Sequence, residues 1–391
     1  MDGWIEEDVK KIGMEGEYRK HKFVLLCGDS LNSLGVLRSL GEDGIEPYII
    51  LLQEGHISLL SKSKYPKKII FSSSYEESIQ ILLSQFSDET YKPFVLTTDD
   101  NHEQILDEHY DELIDRFYIF NGGSRGAVTK YMDKMELCSL AMECGFEVPC
   151  SEVVVPGTLP KKLKYPVFTK TINPYSDGWK RDVYICNDEK ELLEAYQGMV
   201  SPALIVQEYI DKVGEISMQG VSICGGEHVF LPFERMYLRF SKTSFGGYMY
   251  YQQFDNKELR DKIQSMIRKI NYSGCFEIEF LVDRKNVFYF LEINLRFSAS
   301  NYGVNYGGVN QAVLWAKSTL SNSIDVDSVV TKNGRYYVMN EPEDVHYIKK
   351  VGLLRWIKQF LTADSYYLYN AKDTFPMWSF WFQKLKKKIK K

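Results

Sequence analysis

The chain has 391 residues, 44% of them apolar, and a formal net charge of −5. That length allows about two to three domain-sized units with a sizeable core, and the acidic balance argues against a general nucleic-acid binder, so no nucleic-acid partner is expected. No apolar run approaches the roughly 18 residues of a membrane span, the first twenty residues are too charged for a signal peptide, and seven cysteines without a C-x-x-C pair suggest neither zinc nor a disulfide framework. The expected location is cytoplasmic.

After a polar extension at 1–21, the run "KFVLLCGDS" at 22–30 reads as a buried strand ending near Gly28. Leu34, Leu37 and Leu40 then follow helical spacing, Gly41 and Gly44 act as stop signals, and "EPYIILL" reads as a second buried strand. This is a βαβ unit of a parallel sheet. The Gly28 to Gly35 loop fits neither a dinucleotide fingerprint nor a P-loop and reads as a tight strand-to-helix turn. A further strand at 93–100, "PFVLTTDD", carries polar residues at its C-terminal end, where ligands of open α/β sheets gather. The turn-rich "NGGSRG" closes this first domain near residue 125.

A helix is predicted from Asp133 to Gly145, followed by an X-Pro entry into a strand. The stretch 165–185 reads as strand, loop, strand, with Lys170 closing the first strand and Gly178 and Lys180 in the loop. Two more strands follow in 203–223, with Glu208 and Glu215 flanking their turn. Taken singly, a lysine ending a strand snorkels and a glutamate beside a turn is solvated.

The stretch "CFEIEFLVDRKNVFYFLEINLRFS" at 275–298 alternates like a hairpin around a charged turn. Period-two geometry puts Phe276, Ile278, Phe280 and Val282 on one face and Glu277, Glu279 and Leu281 on the other. In the second strand Leu291, Ile293 and Leu295 share one face, and Phe290, Glu292, Asn294 and Arg296 share the other. With an even-numbered turn, Glu279 lies opposite or diagonal to Glu292. Two like charges so close fit either a bound hard cation such as Mg²⁺, which takes carboxylate and amide oxygens, or a solvated polar face on an edge hairpin.

In this order, Asp133-Lys134, Lys170, "QEYI" at 207–210, Glu215 and the closing Glu279, Glu292, Asn294 and Arg296 resemble the ATP-grasp superfamily over residues 22 to 340. The resemblance implies a mixed α/β and α+β architecture. A parallel α/β pre-ATP-grasp domain (22–125) would precede a small subdomain (126–205), a large subdomain with the metal site (206–340) and a C-terminal extension with a basic tail (341–391). It also implies that Lys134, Lys170 and Lys180 hold ATP phosphates and that Gln207, Glu208, Tyr209 and Ile210 grip adenine. Glu215 would take the ribose, and Glu279, Glu292 and Asn294 would ligate Mg²⁺ or Mn²⁺. The sequence departs from the family in offering one glycine in "NPYSDGWKR", where many members have a glycine-rich flap, and in Leu295, where a proline is common.

The implied activity is activation of a carboxylate, expected to be that of an amino acid, to an acyl phosphate that an amine then attacks. Arg296 is the expected oxyanion-stabilising cation. Arg239 and Lys242 stand where relatives place a further phosphate- or substrate-binding cation, or else form a solvated basic loop. "GVLRSLGEDGI", "MNEPEDV" and "NAKDTFP" are similar to the carboxylate-amine ligase group that includes D-aspartate ligase, whose members join an amino acid to an amine on a cell-wall precursor. A bicarbonate-using carboxylase and a non-catalytic nucleotide-binding module are the alternatives. The partners expected are small carboxylate and amine substrates, with oligomeric state open. Six of the last eight residues are lysines behind Trp378, Phe380, Trp381 and Phe382. That tail is either solvated or a peripheral contact with anionic lipid at the inner face of the membrane.

Overall fold

The computed structural model describes residues 16–53, 58–172, 181–239 and 247–389. Short strands build the first sheet: β1 (Phe23–Gly28), β2 (Tyr48–Leu52), β3 (Lys68–Ser72) and β4 (Phe94–Thr97) pair in parallel in the order β3-β2-β1-β4, with β1 and β4 almost wholly buried and the edge strand β3 largely not. Parallel strands need crossovers. Helices Leu31–Glu42 and Tyr75–Phe86 supply them, and a helix at Asp100–Glu108 follows β4. Ser30, Ser74 and Asp99 cap these three helices by accepting the backbone N–H of Ser33, Glu77 and His102.

The second sheet is antiparallel: β5 (Ser151–Val154), β6 (Val167–Thr171), β7 (Ile185–Cys186) and β8 (Leu204–Glu208) run in the order β5-β8-β6-β7. The third contains β9 (Lys212–Ile223), β10 (His228–Tyr237), β11 (Tyr248–Gln253), β12 (Gly274–Asp283), β13 (Phe288–Asn294), β14 (Tyr336–Met339) and β15 (Ser365–Tyr366). Its order is β13-β12-β9-β10-β11-β14-β15, antiparallel except for the last pair. On one face of this sheet Ile216, Met218, Ile278 and Phe280 pack with Ile263, Met266 and Ile267 of helix Lys257–Ile270 in the main core. Each such fully buried side chain contributes about 1.5–3 kcal/mol relative to exposure. The opposite face of β9, β12 and β13 is polar.

The hairpin departs from strict alternation at one point. The register shifts between Glu279 and Phe280, so Glu279 faces Glu292 while Phe280 faces Phe290 and Leu291 is the extra residue. Phe290 therefore turns into the core beside Phe280 and does not share the face of Glu292, as the uninterrupted alternation would have it. The turn is set by Asp283, whose carboxylate accepts the N–H of Lys285 and Val287 at 2.8 and 2.9 Å, and by Asn286 in the left-handed region at φ 61°.

Residues beyond 340 return to the body of the molecule. Glu341, buried, accepts the N–H groups of Tyr367, Leu368 and Tyr369. Arg38, fully buried in the first crossover helix, donates to the Tyr367 and Leu368 carbonyls and to both the side chain and the carbonyl of Asp373. All seven cysteines are free thiols, five of them buried.

Candidate active site

Register, more than sequence proximity, assembles the polar face. Glu292 of β13 lies across from Glu279 of β12, Glu279 from Ser217 of β9, Ser217 from Arg235 of β10, and Arg235 from Tyr251 of β11. Paired residues point to the same side of a sheet, so these five form one row. A second row, one pleat along, sets Asn294 across from Glu277 and Glu277 across from Gln219.

Charge is unevenly matched along these rows. The buried Arg235 guanidinium reaches Glu277 at 3.2 Å and Glu279 at 3.9 Å through the same nitrogen. Burial works against ionisation of Glu277, but Arg235 and hydrogen bonds from Gln219 and Ser300 outweigh it and hold this carboxyl below its ordinary range. Glu279 has no such surplus. Burial, then repulsion from Glu277 and Glu292, pushes its carboxyl well above the ordinary range. Two carboxylates facing one another across the hairpin, with an amide beside them, form an all-oxygen donor set suited to Mg²⁺. Among the described residues no three His, Cys, Asp or Glu side chains converge on a metal position; the candidate set is two carboxylates, Glu279 and Glu292, and the amide of Asn294.

Asn294 is held between neighbours, its amide 3.5 Å from Glu292 and its carbonyl oxygen accepting from Arg296 at 2.9 Å. Arg296 in turn donates through two nitrogens to Asp100, at 2.8 and 3.2 Å. Asp100 opens the helix after β4, at the C-terminal end of the parallel sheet. Burial opposes the Arg296 charge, and Asp100 more than restores it.

The phosphate-side lysines converge on the same place. Asp133 caps its helix by accepting the N–H of Met135 and Glu136, which makes Lys134 the first helical residue. The Lys134 ammonium donates to the carbonyl of Thr171, next to Lys170, at 2.8 Å. Burial, then the proximity of Lys170, lowers Lys134 to about 8, and Glu292 acts in the opposite direction. Lys170 is likewise lowered by burial, with Glu292 again favouring its charge. Two lysines and a candidate metal ligand thus share one electrostatic neighbourhood.

The segment 207–215 links the two antiparallel sheets. Gln207 is buried and donates to the Ser151 hydroxyl at 2.8 Å, while the Glu208 side chain is exposed at the end of β8. The Tyr209 N–H donates to the Pro166 carbonyl, and Ile210 is buried. Glu215 is buried on the polar face, paired with Lys212.

Two residues expected at the site, Lys180 and Lys242, lie outside the described residues. Arg239, just beyond the end of β10, is buried among other partners: it pairs with Asp344, donates to Gln359 and stacks over Tyr248 at 4.6 Å. It borders a cavity of about 550 Å³ with Tyr347, Lys350 and Arg355. The cation that does face the carboxylates, Arg235, was absent from the sequence expectation, as was the anchoring role of Glu277. The signal for Arg235 was present in "FERMY", where a charged residue takes the inward parity between Phe233 and Tyr237.

The model of the carbamoyl-phosphate synthase L chain ATP-binding domain matches residues 250–305, which include the hairpin. An N5-carboxyaminoimidazole ribonucleotide synthase of Staphylococcus epidermidis is 25% identical over 195 residues, covering 49% of this chain and 51% of the relative, so the match spans about half of that protein's length. A D-aspartate ligase of Enterococcus faecium is 21% identical over 352 residues, covering 79% of each chain. Among solved structures, N5-carboxyaminoimidazole synthetase from Staphylococcus aureus complexed with ADP superposes with a TM-score of 0.64 at 14% identity, covering 86% of both chains. The fold is that shared by these proteins.

Proposed function

We propose that this chain is an ATP-grasp enzyme, an ADP-forming ligase which activates the carboxylate of an amino acid with ATP and joins it to an amine. The single observation that carries this reading is the row of Glu292, Glu279 and Arg235 meeting Asn294, Arg296 and Asp100 at the junction of the large sheet with the parallel one.

A carboxylate is a poor acylating agent, so it first attacks the γ-phosphate, and this transfer is governed by positioning and neutralisation of phosphoryl oxygens. Lys134 and Lys170 supply two of the neutralising charges. Mg²⁺, or Mn²⁺, held by Glu279, Glu292 and Asn294 would supply the rest. Glu215 would accept from ribose hydroxyls, and the Glu208 to Ile210 segment would offer backbone groups to an adenine edge. In the second half-reaction the amine attacks the acyl phosphate, and Arg296, fixed by Asp100, stabilises the tetrahedral oxyanion before phosphate leaves. Arg235 keeps Glu277 ionised and Glu279 oriented. Arg239, Lys180 and Lys242 remain candidates for contacts to substrate or phosphate.

The likeness to D-aspartate ligase supports an amino-acid carboxylate and an amine on a cell-envelope precursor, a substrate that would bring the enzyme to the inner face of the membrane. The relative that makes N5-carboxyaminoimidazole ribonucleotide supports a second reading, a carboxylase using bicarbonate. One screen separates them: Mg-ATP-dependent ADP release with amino acids and amines on one side and bicarbonate on the other. ADP release with bicarbonate alone, and none with any amino acid and amine pair, overturns the ligase reading.

A further inference from the structure

Two helices near the C-terminus carry apolar stripes that the fold leaves bare. Helix Leu353–Thr362 presses Trp356, Gln359 and Phe360 inward, where the Trp356 indole donates to Asp344 at 2.7 Å and stacks on Phe360. On the neighbouring side Leu353, Ile357 and Leu361, at four-residue spacing, join Leu354 in one aliphatic stripe. Leu354 is 85% exposed and Leu361 72%. Helix Phe375–Ile389 repeats the arrangement: Met377, Phe380 and Trp381 pack on the main core, while Phe375, Trp378, Phe382 and Leu385 stand exposed on the other side.

The charge beside both stripes has one sign. From residue 345 to 363 there is no Asp or Glu, and Lys349, Lys350, Arg355 and Lys358 are all exposed. From residue 374 to the end there is again no acidic residue, with lysines in six of the last eight positions. This occurs in a chain whose net charge is −5. A two-fold contact through either stripe would bring these cations against their own copies, which disfavours a second chain as the occupant. A polyanion such as RNA would match the charge and leave the aliphatic and aromatic stripes without a use. An anionic lipid surface matches both, because a short basic amphipathic helix lies in the headgroup plane with its apolar side down. No helix among the described residues is long and apolar enough to cross a membrane.

We propose that helices 353–362 and 375–389 are two in-plane anchors that dock this protein reversibly on an anionic phospholipid bilayer. The docking does not depend on the identity of the ligated substrates. The test is co-sedimentation of the full chain with phosphatidylcholine vesicles and with mixed phosphatidylcholine–phosphatidylglycerol vesicles, at low and high salt. The variants are Leu354→Ser with Leu361→Ser, and Trp378→Ser with Phe382→Ser, which remove apolar contact without altering charge at exposed positions. The wild type is expected on the mixed vesicles alone and to be released by salt. Each variant pair should weaken binding at least about tenfold, with its thermal midpoint unchanged. Equal binding to both vesicle types, wild-type binding by either variant pair, or concentration-dependent self-association abolished by either pair in place of vesicle binding overturns the proposal.

Discussion

At Glu292 the charge that repels Glu279 is the one a bound Mg²⁺ would need. Glu292→Gln relieves repulsion on Glu279, so the thermal midpoint should hold or rise, while Mg-ATP-dependent turnover should fall at least about a hundredfold; a Mg²⁺ titration of ADP release, set beside a melting curve, reads both. Lys134 makes a pH prediction. Its ammonium, lowered to about 8 by burial and Lys170, loses its proton as pH rises through that value. A neutral amine no longer attracts phosphate, so ATP affinity is full below about pH 8 and should decline above it. Measured by calorimetry across that range, Lys134→Arg should flatten the decline, since guanidinium stays charged. Glu215→Ala should weaken ATP by about 1–3 kcal/mol through lost charged hydrogen bonds, with a smaller effect on a ligand lacking ribose. It also removes the Lys212–Glu215 ion pair, so melting must be measured alongside.

The hairpin and the strands beside it show what alternation reveals and what it hides. Sequence periodicity located both strands, the facing of Glu279 and Glu292, and the polar identity of the face, because a period of two has one consequence for side-chain direction. It misplaced Phe290, since a bulge is one extra residue and leaves the composition of the strand unchanged. Arg235 escaped for a different reason. A buried cation is recognisable only by its countercharges, and Glu277 lies 42 positions away in sequence, which no local window spans. Arg239 was singled out because it stands where relatives place a phosphate- or substrate-binding cation; what the sequence did not show is its partner Asp344, from beyond β14. The Arg235–Glu277 pair yields a stability test. Arg235→Met leaves buried carboxylates unpaired and should cost about 3–5 kcal/mol in urea unfolding, and adding Glu277→Gln should recover a substantial part of it. Additive losses would show that the two side chains do not act as a unit.

Across the whole molecule, the Arg296–Asp100 contact joins the large sheet to the C-terminal end of the parallel one. If that joint aims Arg296 at the reacting carbonyl, Asp100→Asn should lower kcat while leaving the KM for ATP near the wild-type value, and hydroxylamine trapping of the acyl phosphate should fall less than overall turnover. A drop in ATP affinity of the same size would instead mark Asp100 as part of the nucleotide site. The order of the three sheets along the chain was largely legible beforehand, because each is built from contiguous segments. The return of residues 341–373 to the first crossover helix was not, because it depends on contacts between positions more than three hundred residues apart.

That return has a consequence for the order in which the protein is made. Arg38 has no exposed surface, and its guanidinium is satisfied by the carbonyls of Tyr367, Leu368 and Asp373 and by the Asp373 carboxylate, 335 residues downstream. During synthesis the parallel sheet precedes that loop, and the Arg38 charge on its first crossover helix then lacks these partners. An unpaired buried cation costs several kcal/mol, a large share of a domain's stability. Without residues 367–373 the amino-terminal domain cannot close over Arg38 at this cost, so the helix that carries it is expected to stay open to solvent until that downstream loop is available.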